Sequence, residues 1–97
     1  MTLQWEPESI DDRIAIFDYI CADSPRAALE VDDRILHAIL SLKALPEKGR
    51  PGRIVGTREL VIHGTRYIVG YRIEGSAIII LRIVDGARRW PRMPKRP

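Results

Sequence analysis

The sequence is poor in the residue types that cross-link small proteins or bind metal ions. Its 97 residues include one cysteine, Cys21, and two histidines, His37 and His63. A single cysteine cannot close an internal disulfide, which excludes the stapled secreted miniproteins. Two histidines and one cysteine also argue against a conventional zinc site. We therefore expect no metal ion and no other cofactor.

Long apolar runs are lacking as well. No stretch approaches the roughly 20 apolar residues that span a bilayer, and the first residues, MTLQWEPES, show no signal-peptide pattern. The composition, 45% hydrophobic and 30% charged, is typical of a globular protein. We expect one domain over residues 1–97, with a basic, proline-containing tail from about residue 90, in a reducing cytoplasm.

Charge is distributed unequally between the two halves of the chain. Residues 1–47 carry four basic and ten acidic residues, a balance of −6, whereas residues 48–97 carry twelve basic and three acidic, a balance of +9. Thirteen of the sixteen basic residues are arginine, whose planar fork of donors suits phosphate and carboxylate groups. This asymmetry predicts an anionic partner for the second half.

The first half predicts a strand and two helices. Alternation over residues 3–6 indicates a strand, and Pro7 fits the first turn of a helix that ends near Asp23. Ser24 and Pro25 fit the start of a second helix, which runs to about Leu45 and lies antiparallel to the first. The apolar stripe of the first helix consists of Ile10, Ile14, Phe17 and Cys21, widened by Ile16 and Ile20.

The second half predicts a loop and three strands. Residues 47–56 form a basic, glycine-containing loop, and strands cover residues 58–62, 67–73 and 77–84. The last strand is apolar on both faces, which is typical of a central strand covered on both sides. The helices supply one cover, and no further element of this chain is left to supply the other. The fold class is therefore α+β.

One face of this sheet is a candidate contact surface. Alternation places Ile68 with Arg72, and Ile78 and Ile80 with Arg82. If the two sets share a face, that face shows aliphatic side chains rimmed by arginines, which is typical of a protein contact. In the alternative, the tail folds over this face. Trp90 could stack on a base or pack on the sheet, and we favour packing.

Two segments carry a resemblance to a known family. Residues 64–75, GTRYIVGYRIEG, look like the hairpin of the RelE/ParE superfamily of bacterial type II toxins, and residues 80–91, ILRIVDGARRWP, resemble its last strand and closing motif. The resemblance implies an N-terminal strand and an antiparallel helical hairpin packed on a small, mainly antiparallel sheet, in the order β-α-α-β-β-β. It also implies a cytosolic toxin that a cognate ParD- or RelB-like antitoxin wraps and neutralises.

The superfamily contains two mechanisms, and the resemblance leaves both open. RelE-like toxins cleave messenger RNA on the ribosome, whereas ParE-like toxins poison DNA gyrase without known chemistry. In the RelE-like case, Arg88 would stabilise phosphorane charge, and His63 and Arg82 would be further catalytic candidates. However, Ile68 stands where the RNA-cleaving branch often has arginine, and no tyrosine follows Arg88. We therefore favour the ParE-like branch and leave open whether the protein is an enzyme; if it is one, it is an endoribonuclease.

A third hypothesis is a decayed, non-toxic binding module. For a toxin, the predicted residues fall into two sets. The predicted target-binding residues are Lys48, Arg50, Arg53, Arg88, Arg89 and Trp90. The predicted antitoxin-binding residues, which suit an acidic amphipathic segment, are Ile68, Arg72, Ile78, Ile80 and Arg82.

Overall fold

Two helices and a five-stranded mixed sheet make up the computed structural model, which describes residues 1–88 and Trp90. The elements are β1 (Thr2–Trp5), α1 (Pro7–Cys21), α2 (Pro25–Ser41), β2 (Arg50–Pro51), β3 (Arg58–Val61), β4 (Tyr67–Glu74) and β5 (Ala77–Asp85). The strand order is β1-β5-β4-β3-β2, with β1 parallel to β5 and the other pairs antiparallel. The predicted α+β class and element order are confirmed, and the short β2 within the basic loop is an addition. The predicted tail beyond Trp90 lies outside the described residues.

The helical hairpin forms as the capping residues predict. Pro7 occupies the first turn of α1, and the Ser24 hydroxyl accepts a hydrogen bond from the Ala27 N–H at 3.2 Å. The helix α2 ends at Ser41, earlier than the predicted Leu45. Neither helix of the described part is both long and apolar enough to cross a membrane.

The predicted apolar stripe of α1 does not face the core as a whole. Ile16 and Ile20 pack on the core, whereas Ile10 and Ile14 are 45% and 55% exposed. This orientation of α1 places Asp12 at the edge of β5, where its carboxylate accepts a hydrogen bond from the Ile83 N–H at 2.9 Å. Apolar side chains therefore lie on two sides of α1, and only Ile16 and Ile20 on one of these sides pack on the core.

The core lies between the helices and one face of the sheet. Its buried members are Ile35, Ile39, Leu42, Leu60, Ile62, Tyr67, Val69, Tyr71, Ile78, Ile80 and Ile83. The prediction that Ile78 and Ile80 share an open face with Ile68 is wrong, because both are wholly buried under the helices. In β4, the core residues Val69 and Tyr71 alternate with Ile68, which faces the other way.

The far face of β5 is covered by the chain itself. Ile79 and Leu81 are buried there, with Ala77 and Trp90 packed against them. The expectation that no part of this chain could supply the second cover is therefore wrong for β5. Trp90 adopts the packing role that the sequence favours over base stacking.

Tyr71 joins the sheet to the basic loop. Its hydroxyl accepts a hydrogen bond from the Gly49 N–H at 2.9 Å and donates one to the Pro46 carbonyl at 2.7 Å. A Cβ at position 49 would lie 2.7 Å from that hydroxyl, so the close approach requires glycine. The loop is consequently anchored at its start.

Candidate functional site

A groove of about 370 Å³ lies between α1 and the carboxyl end of β5. We call it the arginine groove. Its lining residues are Asp12, Ala15, Ile16, Tyr19, Arg66, Tyr67, Arg82, Ile83, Val84, Asp85 and Arg88. Tyr67 of β4 pairs with Asp85 of β5, so the residue before one strand and the loop after the other meet at this end of the sheet. Arg66 and Arg88 are thereby brought together, although 22 positions separate them in the sequence.

Asp85 holds both of these arginines. Its carboxylate lies 2.6 Å from Arg66 and 3.7 Å from Arg88, and the two arginine side chains are 61% and 74% exposed. The Ala87 N–H, at 2.9 Å, and the Arg66 guanidinium hold the pKa of Asp85 below its ordinary value. One carboxylate for two guanidinium groups leaves a net charge of +1, with donors free to meet an anion.

Arg82, by contrast, is committed to the fold. Its Nε and Nη2 donate to the two oxygens of Asp12 at 2.7 and 2.8 Å. These hydrogen bonds raise the pKa of Arg82. The strand β1 ends opposite Ile80, and beyond that point the Asp12 carboxylate takes the place of a strand by binding Ile83. Arg82 is therefore a structural residue of the groove wall.

Two tyrosines complete the arginine groove. Tyr67 is largely buried, and burial raises the pKa of its hydroxyl, whereas Tyr19 is exposed on α1. Sequence reasoning missed both tyrosines, together with Arg66 and Asp85. The signal for three of them was the pairing of the two strand ends, since a register with Tyr67 opposite Asp85 brings Arg66, Tyr67 and Asp85 together. Tyr19 enters the groove from α1, which the strand register does not place.

A second basic cluster lies near the β2 edge of the sheet and is centred on Glu59 of β3. This carboxylate is 4% exposed and pairs with Arg50 at 3.2 Å and Arg53 at 3.0 Å. Burial disfavours its charged form, but hydrogen bonds from Arg53 and Arg50 outweigh burial and lower the pKa of Glu59. The Arg53 guanidinium also lies over the Trp90 ring, 4.0 Å from its centre. The predicted target-binding residues Arg50, Arg53 and Trp90 thus form one cluster.

The remaining predicted target-binding residues are scattered. Lys48 lies beside α2, where its Nζ donates to the Ser41 hydroxyl at 3.3 Å. Arg88 belongs to the arginine groove, and Arg89 lies outside the described residues. The five predicted residues that the structure describes therefore do not form one continuous site.

The candidate catalytic residues of the RNA-cleaving hypothesis are also separated. Arg82 and Arg88 line the arginine groove beside α1. His63 sits in the turn before β4, where its carbonyl accepts from Arg34 of α2 at 3.4 Å, and it lines a different groove with His37. The three side chains do not converge on one pocket.

The predicted antitoxin-binding residues offer little accessible surface. Ile78 and Ile80 belong to the core, Ile68 is buried, and Arg72 is paired with Glu74. Arg82 is bound by Asp12. An apolar contact with a partner must therefore use other residues.

Comparison with known proteins identifies the family. Residues 3–90 match the sequence family described as ParE toxin of type II toxin-antitoxin system, parDE. The chain is 37% identical over 91 residues to "Putative toxin Y4kP" of Sinorhizobium fredii, covering 94% of each chain. It is 36% identical over 84 residues to Toxin RelE2 of Caulobacter vibrioides, covering 87% of this chain and 93% of that protein.

A solved structure gives the same assignment. A chain from the chromosomal ParDE TA system of P. aeruginosa superposes with a TM-score of 0.77 and 31% sequence identity, over 86% of this chain and 92% of that one. The assignment agrees with the family resemblance of residues 64–75 and 80–91. This protein belongs to the ParE toxin family and is the toxin of a type II toxin–antitoxin system.

Proposed function

We propose that this toxin inhibits DNA gyrase by binding it and performs no chemistry of its own. The observation that carries this proposal is the separation of the RNA-cleaving candidates Arg88, Arg82 and His63. Cleavage of RNA through the 2′-hydroxyl needs a base, a stabiliser of phosphorane charge and an acid at one reacting centre. Arg82 is bound by Asp12, and His63 lines another groove.

Two further candidates for proton transfer, Tyr67 and Trp90, do not fill this gap. Tyr67 is largely buried and its pKa is raised, so its hydroxyl is a poor base at neutral pH. Trp90 packs on Ile79 and Leu81, and an indole cannot exchange a proton under these conditions. Arg88 and His63 are both exposed, but they line different grooves and so cannot act on one reacting centre.

The basic surfaces suit an anionic macromolecule. In the arginine groove, Arg66 and Arg88 share the single carboxylate of Asp85. In the second cluster, Arg50 and Arg53 likewise share the single carboxylate of Glu59. Each cluster keeps a net charge of +1. Such charge accelerates encounter with an acidic protein surface or with gyrase-bound DNA. We place this encounter in the cytoplasm.

A supercoiling assay with purified gyrase tests the proposal. Wild-type toxin should inhibit supercoiling, and the double variant Arg66→Ala/Arg88→Ala should need about tenfold more protein, because each exposed charge contact contributes roughly threefold to affinity. The matched control is Arg26→Ala, which removes an exposed arginine of α2 outside the groove. Normal supercoiling at a large excess of wild-type toxin would contradict the proposal.

Ribosome-dependent cleavage of messenger RNA is the second candidate. The observations in its favour are the exposed Arg88 and the likeness to a relative named Toxin RelE2. In a purified translation extract this function predicts cleaved messenger with wild-type toxin and intact messenger with Arg88→Ala. A decayed, non-toxic module would instead leave growth unaffected when the toxin is produced without its antitoxin.

A further inference from the structure

A groove of about 520 Å³ lies on the outer side of α1. Its apolar lining consists of Trp5, Ile10, Ile14 and Phe17. We call it the isoleucine groove. Arg13, Asp18 and Asp32 form the rest of its wall.

Folding does not account for the two isoleucines of this groove. Ile10 and Ile14 are 45% and 55% exposed and lie one helical turn apart, whereas Ile16 and Ile20 of the same helix pack on the core. Neighbouring exposed aliphatic side chains that line a concave surface are typical of a docking site. Their burial by a partner would stabilise a complex.

The floor of the isoleucine groove is held in place. Arg13 of α1 donates to both oxygens of Asp32 of α2, at 2.6 and 2.9 Å, and its guanidinium lies 5.7 Å from the centre of the Trp5 ring. A bidentate pair that joins two helices fixes their spacing. A partner therefore meets a preformed surface and loses less entropy on binding.

The charge around the isoleucine groove is negative. Arg13 neutralises Asp32, but Asp11 and Asp18 are exposed and form no ion pair with a described residue. Asp18 lines the groove, and Asp11 lies about one helical turn from Ile14 on the same helix. These two carboxylates repel nucleic acid, and they oppose the packing of α1 on α1 of a second copy. They favour a partner that carries basic residues beside its apolar ones.

The two grooves lie on opposite sides of α1. At about 100° per residue, the positions that line the isoleucine groove are centred roughly half a turn from those that line the arginine groove. The exposed aliphatic side chains are thus separated from the exposed arginines. A partner can occupy the first groove without contact with Arg66 or Arg88.

We propose that the isoleucine groove seats an amphipathic, positively charged helix of the cognate antitoxin. Two aliphatic side chains of this helix would pack on Ile10 and Ile14, and neighbouring lysines or arginines would meet Asp11 and Asp18. The inference deepens the proposed function, because it takes as its partner the antitoxin that membership of the family implies. It also replaces the antitoxin contact predicted at Ile78 and Ile80, because both residues are buried in the core.

Affinity for the purified cognate antitoxin tests the apolar part. The double variant Ile10→Gln/Ile14→Gln should bind about a hundredfold more weakly, because each isoleucine loses roughly a tenfold contribution from buried apolar area. The matched control is Leu29→Gln, which changes a 64% exposed leucine of α2 outside the groove and should bind as the wild type does. Circular dichroism should show the same helix content in all three proteins.

Charge reversal tests the sign of the partner. Asp18→Lys should slow association about threefold to tenfold at low salt, and the difference should shrink as salt is raised to about 0.5 M. Glu30→Lys on α2 makes the same charge change outside the groove and should have a smaller effect. Faster association of Asp18→Lys would mean an acidic occupant and would overturn the proposal.

The remaining outcomes assign the groove to other occupants. Unchanged antitoxin affinity of Ile10→Gln/Ile14→Gln would overturn the proposal. If that variant loses gyrase inhibition while antitoxin affinity is kept, the groove contacts the target. If it changes the oligomeric state of the free toxin while antitoxin affinity is kept, the groove contacts a second copy. Antitoxin binding is measured without gyrase. The test of the groove therefore remains valid even if gyrase proves not to be the target.

Discussion

The two sides of α1 differ in both charge and chemistry. On one side, Ile10 and Ile14 line a groove with an acidic rim, and on the other, Arg66 and Arg88 line a groove with a basic rim. Adjacent residues of the helix serve the two sides: Asp12 binds the sheet edge, and Arg13 binds α2. The difference teaches that a single amphipathic helix can separate an apolar docking surface from a surface that attracts anions.

Of the ion pairs on the two sides of α1, the pair between Asp12 and Arg82 in the arginine groove should contribute most to the free energy of unfolding. Asp12→Ala removes the carboxylate that binds both Arg82 and the Ile83 N–H, in a pair whose side chains are 19% and 15% exposed. We expect the free energy of unfolding to fall by about 3 kcal/mol, as for other largely buried pairs that lose one partner. Chemical denaturation measures this change. The neighbouring exposed Asp11→Ala should change it by less than about 0.5 kcal/mol, and equal effects of the two variants would contradict the assignment.

The ion pair of the isoleucine groove should contribute less. Arg13 and Asp32 are 30% and 28% exposed, so solvent screens their attraction more than that of Arg82 and Asp12. Asp32→Ala should lower the free energy of unfolding by about 1 kcal/mol, and Asp33→Ala, an exposed neighbour on α2, should have almost no effect. If Asp32→Ala lowered the free energy of unfolding as much as Asp12→Ala does, the two sides of α1 would not differ in their contribution to stability.

The smallest expected effect is a dependence of stability on pH that comes from Asp85 of the arginine groove. Because the folded state lowers the pKa of Asp85, this carboxylate contributes stability above its unfolded-state pKa of about 3.9. That contribution is lost as the pH falls through the folded-state pKa. Wild type and Asp85→Asn should therefore differ most near neutral pH and converge in acid. Chemical denaturation of both proteins at a series of pH values from 7 to about 2.5 measures this difference in stability. If the difference between wild type and Asp85→Asn grew in acid, the lowered pKa of Asp85 would not be its cause.

Much of the fold could be predicted because its signals are local. Pro7, Ser24 and Pro25 mark the helix starts, and strand alternation with glycine turns marks β4 and β5. The charge asymmetry also identified the sheet half as the half that holds the arginines of both basic clusters. Each of these signals depends on residues within a few positions of one another.

The candidate site could be predicted only in part, because its contacts are distant in the sequence. Asp12 and Arg82, 70 positions apart, neutralise each other, and no spacing rule connects them. An irregularity between Gly70 and Tyr71 shifts the register of β4 against β5, so the faces of the two strands could not be matched from alternation alone. Likewise, helical spacing shows that Ile10 and Ile14 share a side of α1 but not what that side packs against.

The hydrogen bond from the Ile83 N–H to Asp12 also affects how the molecule behaves among its own copies. Beyond Ile80, where the pairing with β1 ends, β5 would present an open strand edge that can pair with a strand of another chain. A carboxylate bound at that edge occupies the donor and places a charged group where a second backbone would have to lie. The aspartate that binds Arg82 therefore also protects the sheet against edge-to-edge aggregation.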